Sequence, residues 1–295
     1  MEFKTLQYFL AVVREENISR AAEALHMTQP ALSRYMLQLE EELGTQLFIR
    51  GRHLTLTDAG VMLRQRAEEV VSLMDKIEGE FEEQSEIGGI ISIGTGGLNA
   101  SRMLPPAIEN FRQKYPNVQF HIYTNSAEYV KERLAQGFLD FGLLMEPIDV
   151  SKYDYIRMRE KEKWGLLMRR DSPLAEKSCI TKEDLYGIPL MTTDRVSVQK
   201  EFENWFGDEI GKLNVFLTFN IITNAIIFVS SGLVYALTIE GAVRSLDQEQ
   251  LVFRPLYPEL SASSVLAWKK FHPSFGAAGK FLEALKSMQK NDTYL

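Results

Sequence analysis

Apolar residues recur with the period of a helix in the first part of the chain. Over residues 4 to 15 they fall at i, i+3, i+4 and i+7, at Leu6, Phe9, Leu10 and Val13. Over residues 29 to 43 they repeat at spacings of four, three and four, at Leu32, Met36, Leu39 and Leu43. An Ala-rich segment, Ser19 to Leu25, lies between them, and only His26, Met27 and Thr28 separate it from the third segment. This spacing predicts three packed helices, of which the last two form a helix-turn-helix.

The third predicted helix, Gln29 to Leu43, has a start signal and one polar face. Thr28 can cap its free backbone donors, and Pro30 suits a first turn, where a missing N–H costs nothing. Opposite the apolar stripe lie side-chain types that pair with base edges and phosphates, namely Gln29, Ser33, Arg34 and Gln38. This face is therefore predicted to enter the major groove of DNA. From these residues alone, a helical hairpin with a solvated polar face is the alternative.

A small wing is predicted after this helix. Gly44 ends the helix, and two short strands, Gln46 to Ile49 and His53 to Leu56, flank a glycine that stands between Arg50 and Arg52. The two arginines are placed to lie against phosphates or in a minor groove. Without the adjacent helix-turn-helix, two solvated loop charges would be the preferred interpretation.

A long helix follows the wing, capped by Thr57 and Asp58 and running to about Gln84. Its apolar positions alternate spacings of four and three, at Leu63, Ala67, Val70, Met74, Ile77 and Phe81. Such a repeat is typical of a coiled-coil seam. Because no second long helix is near in sequence to cover it, we expect homodimerisation, which would present two recognition helices to two half-sites. Packing of the stripe against its own domain is the alternative.

After Ile87, Gly88 and Gly89 the pattern changes to short strands that alternate with helices. Strands are predicted over residues 90–94, 118–124, 139–144, 164–168, 188–191, 215–219 and 233–237, and helices over 102–114, 127–136, 182–185, 198–206, 223–231 and 275–288. This order predicts βαβ units, a parallel sheet and two α/β lobes.

Composition and charge narrow the function. The 295 residues suffice for two domains with a large core, and the apolar and charged fractions, 45% and 25%, are ordinary for a globular protein. A net charge of −7 argues against coating nucleic acid through a global positive field but allows a specific, salt-dependent reader. The single Cys179 excludes an internal disulfide, and the start of the chain lacks an export signal, so we expect a cytoplasmic protein. The most apolar segment, residues 225–237, is too short to span a bilayer, so no membrane partner is expected.

The glycine-rich segment GTGGLNAS, Gly94 to Ser101, follows a predicted strand and precedes a helix. A dinucleotide fingerprint would need a third glycine where Asn99 stands and an acidic residue near Thr124, so that signal is weak. Instead, Thr95, Asn99 and Ser101 together with backbone N–H groups predict a nest for a carboxylate or another anion. A tight strand-to-helix connection without a ligand is the plain alternative.

Further ligand contacts are expected beyond the carboxyl ends of strands, where ligands of open α/β sheets sit. Arg195 is the cation among the residues at these ends and is placed to pair with a small organic anion, although it is as readily a surface arginine. The predicted effector contacts are Thr95, Gly96, Asn99, Ser101, Thr124, Asn125, Met145, Arg195, Ser197, Asn220 and Thr223. Ser126, Glu146 and Thr193 lie at the same ends.

Catalysis finds little support in the sequence, and no catalytic residue, metal site or cofactor is predicted. The four histidines, His26, His53, His121 and His272, are dispersed, with no cysteine or carboxylate at metal-ligand spacing. Neither a G-x-S-x-G elbow nor a phosphate-binding loop ending in Gly-Lys-Ser/Thr occurs. Two rival functions are an enzyme that binds a nicotinamide or flavin at the Gly-rich turn, and an exported solute-binding protein. The second should carry an export signal and no helix-turn-helix.

The segment from Phe9 to Gly60 resembles the amino-terminal signature of LysR-type transcriptional regulators. The resemblance rests on the core AAE.LH..QPALSR..LQLE.ELG.QLF, the arginine-bearing wing and the LT.AG entry to the long helix. Tyr35 and Leu37 stand where polar side chains are more usual in that family, so the bases read stay open. The implied DNA contacts are Arg20, Thr28, Gln29, Pro30, Ser33, Arg34, Gln38, Arg50 and Arg52.

The resemblance also implies an organisation and a set of partners. The expected order is a winged helix-turn-helix domain over residues 1–57, a dimerising linker helix and hinge over 58–86, and a two-lobed α/β effector domain over 87–295 that resembles a periplasmic binding protein. The chain should cross between the lobes near Lys161 and Trp268, so that lobe I comprises 87–161 and 268–295, and lobe II comprises 162–267. Expected partners are double-stranded DNA, a small-molecule effector, further copies in a dimer or tetramer, and RNA polymerase.

Overall fold

The computed structural model describes residues 1–49, 54–81, 87–146, 148–149, 151–244, 249–270 and 276–290. The chain divides into two compact units, Met1–Glu82 and Glu83–Leu295. The first is helical with a two-stranded sheet, and the second is a mixed α/β structure. Of the helices in the described part of the chain, none has both the length and the apolar character needed to cross a bilayer.

The first unit consists of four helices and a short hairpin. Its elements are α1 (Phe3–Glu15), α2 (Ile18–Ala24), α3 (Gln29–Leu43), β1 (Phe48–Ile49), β2 (Thr55–Leu56) and α4 (Asp58–Phe81). Strands β1 and β2 pair antiparallel. The helix periods in the sequence therefore predicted these helices to within a few residues.

One hydrophobic core holds these elements together. It contains Leu6, Phe9 and Val12 from α1, Ala21 and Ala22 from α2, Leu32, Met36 and Leu39 from α3, and Leu47 and Phe48 beside the hairpin. The stripe predicted for α3 is correct for three of its four residues. Leu43 is 41% exposed, because α3 ends there and Gly44, with φ +66°, turns the chain away.

The caps of these helices differ from one another. Asn17 Oδ1 accepts hydrogen bonds from the backbone N of Ser19 and of Arg20 at 2.8 and 3.1 Å, which fixes the start of α2. Thr57 Oγ1 accepts from the backbone N of Gly60 at 3.0 Å, as predicted for the start of α4. Thr28 occupies the N-cap of α3 but makes no side-chain cap bond, so its predicted capping role is wrong.

Helix α4 is not an open seam along its whole length. Ala67 is 1% exposed and Leu63 is partly buried, and both pack into the core of the first unit, where α4 lies against α1. Ala67 is thus buried within its own unit, which contradicts its predicted role in dimerisation, whereas that role stays a prediction for Leu63. Val70 and Ile77, by contrast, are 41% and 47% exposed. The Phe81 side chain lies outside the described set.

The second unit is built on a nine-stranded sheet in the order β4-β3-β5-β11-β6-β9-β7-β8, with β10 beside β6. The strands are β3 (Gly89–Thr95), β4 (Val118–Thr124), β5 (Phe141–Met145), β6 (Tyr153–Arg169), β7 (Pro189–Thr193), β8 (Asn214–Phe219), β9 (Tyr235–Ile239), β10 (Leu251–Pro255) and β11 (Ser261–Lys269). The α-helices are α5 (Leu104–Lys114), α6 (Ala127–Gln136), α7 (Val196–Phe206), α8 (Ile222–Ser230), α9 (Glu240–Val243) and α10 (Gly276–Lys290). Short 3-10 helices are η1 (Asn99–Met103), η2 (Pro173–Glu176), η3 (Glu183–Leu185) and η4 (Gly207–Lys212).

Two groups of these elements are called lobes here. Lobe I contains β3, β4 and β5 with η1, α5 and α6, and lobe II contains β7 to β10 with α7, α8 and α9. Within each lobe three strands run parallel, β4-β3-β5 and β8-β7-β9, as predicted. Helix α10 packs against β3 and α5 and so returns to lobe I.

The lobes are joined by two long antiparallel strands, which the prediction of a parallel sheet did not include. Strand β6 pairs with β11 from Tyr153 to Lys163, and from Trp164 onward it pairs with β9 and β10. The sequence predicted only the second half of β6 and missed β10 and β11. Charged side chains dominate residues 157 to 163, so the alternating burial of the strand is hard to see there.

Candidate functional sites

The predicted recognition face of α3 is a single exposed surface. Gln29, Pro30, Arg34 and Gln38 are exposed and Ser33 is half-buried, while Leu32, Met36 and Leu39 fill the core on the other side. Gln38 Nε2 donates to Glu42 Oε1 at 3.2 Å. Arg34 is exposed and has no ion-pair partner among the described residues.

Neighbouring side chains hold α3 in place. His26 adopts φ +53° in the turn before α3, where the chain reverses between packed helices. Tyr35 stacks edge-to-face on Tyr8 of α1, with ring centroids 5.1 Å apart, and is thus a packing residue. Arg20, a predicted DNA contact, donates through Nη2 to the Glu15 carbonyl at the end of α1, at 3.1 Å. One of its donors is therefore engaged within the protein.

The base of the wing is anchored to α3 and α4. Glu40 Oε1 accepts from the backbone N of Leu47 at 2.7 Å and of Phe48 at 3.2 Å. Gly60 of α4 approaches the same segment so closely that a Cβ there would lie 2.2 Å from the Leu47 carbonyl oxygen. Only glycine fits at this contact. Arg50 and Arg52 at the tip lie outside the described residues.

A cleft opens in the second unit between lobe I and lobe II. Its interior space amounts to about 890 Å³, part of it open to solvent, a size suited to a small ligand. Seven of the predicted effector contacts line it: Gly96, Thr124, Asn125, Met145, Arg195, Asn220 and Thr223. Ser126 and Thr193 line it as well. Residues from strand ends far apart in sequence are thus brought together as predicted, whereas the Ser197 side chain is outside the described set.

Three predicted contacts, Thr95, Asn99 and Ser101, do not line the cleft. Thr95 Oγ1 donates to the Gly96 carbonyl at 2.7 Å and lies 2.9 Å from Ser101 Oγ. Asn99 is 3% exposed. The nest predicted at this turn does hold a carboxylate, but it is the protein's own, because Glu162 Oε1 accepts from the backbone N of Ala100 at 3.3 Å. The prediction that this nest receives an external anion is therefore wrong.

Most of the cleft wall is apolar, which the sequence analysis missed. The apolar lining residues include Leu98, Leu143, Leu144, Trp164, Val198, Phe219, Ile221, Ile222, Ile239 and Ala242. Most of them lie near strand ends or helix starts, next to the polar positions that were predicted, whereas Trp164 lies within β6. The available signal was the apolar character of residues flanking those positions.

Arg195 is the cation of the cleft among its described lining residues. It occupies the N-cap position of α7, and its side chain is 16% exposed. Arg195 Nε lies 3.6 Å from Glu128 Oε1 of lobe I, too far for a hydrogen bond, and no described group accepts from it. Burial raises the pKa of the neighbouring Glu201 carboxyl group, and the positive charge of Arg195 opposes that rise. Arg195 Nε is thus buried without a hydrogen-bond acceptor among the described residues.

Two α-helices of 10 and 9 residues begin at the cleft that Arg195 also lines, α6 after Ser126 and α8 after Ile221. Their N-termini carry partial positive charge and, together with Arg195, favour a negatively charged group. Within the described residues, no cluster of three or more His, Cys, Asp or Glu side chains is placed to hold a metal ion.

Comparison with known families covers nearly the whole chain. The family described as LysR substrate binding domain matches residues 84–290, and that described as bacterial regulatory helix-turn-helix protein, lysR family, matches residues 3–61. The chain is 30% identical over 293 residues to YvbU of Bacillus subtilis, an uncharacterized HTH-type transcriptional regulator, with 98% of this chain and 99% of the relative covered. It is 29% identical over 275 residues to HcaR, the Hca operon transcriptional activator of Escherichia coli, with 92% of each covered.

Solved structures share the fold. The chain superposes on CbnR complexed with its target DNA with a TM-score of 0.71 at 20% identity, covering 97% of this chain and 99% of that one. Full-length BenM gives a TM-score of 0.54 at 23% identity, with 100% and 99% covered. At these identities the likeness concerns architecture alone.

Proposed function

Since the chain belongs to the LysR family of DNA-binding transcriptional regulators with an effector-binding domain, we propose that α3 reads its operator and that the interlobe cleft binds a largely apolar organic anion. The protein is a regulator and not an enzyme. The fold class expected from the sequence, a helix-turn-helix unit and an α/β effector unit, is confirmed.

DNA reading is assigned to the exposed face of α3. The observation that carries this assignment is Arg34, an exposed guanidinium without a described ion-pair partner, one helical turn from Pro30 and from Gln38. An arginine on such a helix pairs bidentately with guanine, and glutamine with adenine. Arg50 and Arg52 are proposed to bind the phosphate backbone of the DNA beside the bases that α3 contacts. CbnR, a protein of the same fold, has been solved in complex with its target DNA.

The effector class follows from the contrast within the cleft. Trp164, Phe219 and the isoleucines favour an aromatic or branched apolar body, whose burial supplies most of the affinity. Arg195 and the two helix N-termini favour one carboxylate at the polar end. Glu128 is close to Arg195 and disfavours a ligand with several negative charges. We therefore propose a hydrophobic monocarboxylate.

Regulation is proposed to work by linkage. An effector that prefers one arrangement of the lobes shifts the population of that arrangement, and in a dimer or a dimer of dimers this alters the spacing of the recognition helices. The DNA-bound assembly then acts on RNA polymerase. As a regulator of DNA transcription, the protein is proposed to work in the cytoplasm.

The effector proposal is tested by thermal shift and calorimetry on the full chain. Phenylacetate and isovalerate should raise the melting temperature, and the neutral phenylacetamide should not, because Arg195 discriminates by charge. The affinity of Arg195→Gln for phenylacetate should be at least tenfold lower than that of the wild type. If phenylacetate and phenylacetamide bind equally, or if Arg195→Gln binds phenylacetate as tightly as the wild type does, the proposal that the effector is an anion is wrong.

A further inference from the structure

Glu162 lies where the two lobes and the strand that joins them meet. It is on β6 near the last pairs with β11, two residues before Trp164, where the strand begins to pair with β9 of lobe II. Its relative exposure is 0%. A fully buried acidic residue normally needs partners for both carboxylate oxygens, because its charge is otherwise unsolvated.

Only one of its oxygens is satisfied. Oε1 accepts from the backbone N of Ala100 at 3.3 Å, so Glu162 holds the start of η1 in lobe I. Oε2 is buried and finds no hydrogen-bond partner among the described residues. The segment it holds directly follows Gly96, Gly97 and Leu98, which line the cleft.

Helix α9 of lobe II approaches Asn99 and Glu162 closely. A Cβ on Gly241 of α9 would lie 2.2 Å from the Asn99 backbone N and 2.6 Å from Glu162 Oε2. Arg244, just after α9, donates through Nη1 to Asn99 Oδ1 at 3.3 Å. The carboxyl group therefore lies close to the backbone of η1 in lobe I and of α9 in lobe II.

The charged groups around Glu162 disfavour its ionisation. Glu160 precedes it on β6 and Glu240 begins α9, and both carboxylates repel a negative charge at this site. Arg244 reaches it only through Asn99, and β11 places the uncharged Ala262 opposite. Burial, helped by these two carboxylates, raises the pKa of Glu162 to about 7, against the opposing bonds from Asn99 and Ala100.

We propose that Glu162 is a proton-dependent positioning residue of the cleft, which keeps η1 packed on α9 when its carboxyl group is neutral and loosens that contact when it ionises. The physical reason is that an ionised Oε2 requires a hydrogen-bond partner. Separation of η1 from α9, whose contact is called the junction below, lets water supply one. The junction itself does not depend on what the cleft binds. Its consequence, effector affinity that falls between pH 6 and pH 8, rests on the proposed function.

The direction and size of this pH effect follow from the difference in the Glu162 pKa between the closed and the opened junction. The closed junction holds the Glu162 pKa at about 7, and the opened, hydrated junction returns it toward the ordinary 4.5. The closed form therefore has its full advantage below about pH 4.5 and loses it as the pH rises to about 7. Between pH 6 and pH 8 the opening equilibrium should increase by about tenfold if opening hydrates the group fully.

Amide hydrogen exchange on the full-length, ligand-free protein tests this. After correction for intrinsic exchange rates, the protection of residues 97–103 and 240–244 should fall by about tenfold from pH 6 to pH 8 in the wild type. In Glu162→Gln, which keeps the shape but cannot ionise, it should stay constant. Glu109→Gln is the control, since Glu109 is an exposed carboxylate on α5 that is not among the groups acting on Glu162, and it should keep the pH dependence.

Two results would overturn the proposal: protection in the wild type that does not change with pH, or a change that persists in Glu162→Gln. The wild-type measurement decides by itself if the glutamine variant does not fold. Because no effector is present, failure of the effector proposal would leave these results untouched. A pH-dependent junction with no phenylacetate binding would support the positioning role and reject the ligand class.

Discussion

At the scale of single residues, Arg34 and Leu37 lie three positions apart on α3 and share its exposed side. Their neighbour Tyr35 packs on Tyr8 instead. Of the two departures from the family pattern, Tyr35 thus belongs to the support of the helix. Leu37 is 43% exposed, against 39% for Tyr35, and has no such aromatic contact, so we expect it to contact DNA.

Arg34→Ala should weaken binding to the selected operator by roughly ten- to a hundredfold while binding to random DNA changes far less. The reason is loss of a bidentate contact to a base. Duplexes selected by the full chain from a random library supply the operator, and fluorescence anisotropy measures the affinity. Arg14→Ala, which removes an exposed charge on α1, is the control. An equal loss of affinity for the operator and for random DNA in Arg34→Ala would assign Arg34 to the phosphates.

Leu37 is expected to contact a thymine methyl group, the apolar feature that the major groove offers. Replacing the thymine nearest Leu37 by uracil should weaken wild-type binding by about fourfold, the value of one buried methylene-sized group. Leu37→Ala should bind the two duplexes equally. If the variant still prefers thymine, another residue reads the methyl group.

At the scale of elements, α4 changes role along its length. Its first turns belong to the core of the first unit through Leu63 and Ala67, and further on Val70 and Ile77 are exposed. Val61 and Met62 are also exposed, at 56% and 65%, although they lie outside the predicted stripe. Of the predicted seam, Val70 and Ile77 are thus the members shown to be well exposed, and we expect self-association to use them.

Val70→Asp combined with Ile77→Asp should convert the protein to monomers, because two charges would be buried in the helix pair. Sedimentation velocity gives the mass, and circular dichroism should show an intact fold, since neither residue is in the core. Ser72→Asp, an exposed position on the same helix, should leave the assembly unchanged. An intact oligomer in the double variant would place the interface elsewhere.

At the scale of the whole molecule, the stability of the second unit is expected to depend on pH. Burial holds the pKa of Glu162 at about 7, above its ordinary 4.5, so this unit should lose stability as the pH rises from about 4.5 to about 7 and stay at the lower level above. The full loss is on the order of 3 kcal/mol. Glu162→Gln should remove this dependence and should be the more stable protein at pH 8.

Urea unfolding at several pH values measures that difference. All three tryptophans, Trp164, Trp205 and Trp268, belong to the second unit, so their emission reports its unfolding alone. The quantity of interest is the wild type minus Glu162→Gln, since other groups titrate equally in both. Parallel stability curves for the two proteins would contradict a raised pKa at Glu162.

The sequence by itself determined the elements and their classes, because helix and strand periods are local. The core stripe of α3, the start of α4 at Thr57 and the two sets of parallel strands follow from residues a few positions apart. The polar strand ends that form one cleft were predictable too, since parallel strands present their carboxyl ends at one edge. The apolar wall between them needed the fold.

Tertiary structure alone decided what each predicted site meets. Ala67 looked like a seam residue until α1 covered it, and the turn at Gly94 to Ser101 looked like an anion site until Glu162 filled it. Glu162 and Ala100 are 62 positions apart, and no local pattern encodes such a meeting. A nest of backbone N–H groups specifies the charge it prefers, but only chain packing settles whether a ligand or the protein provides it.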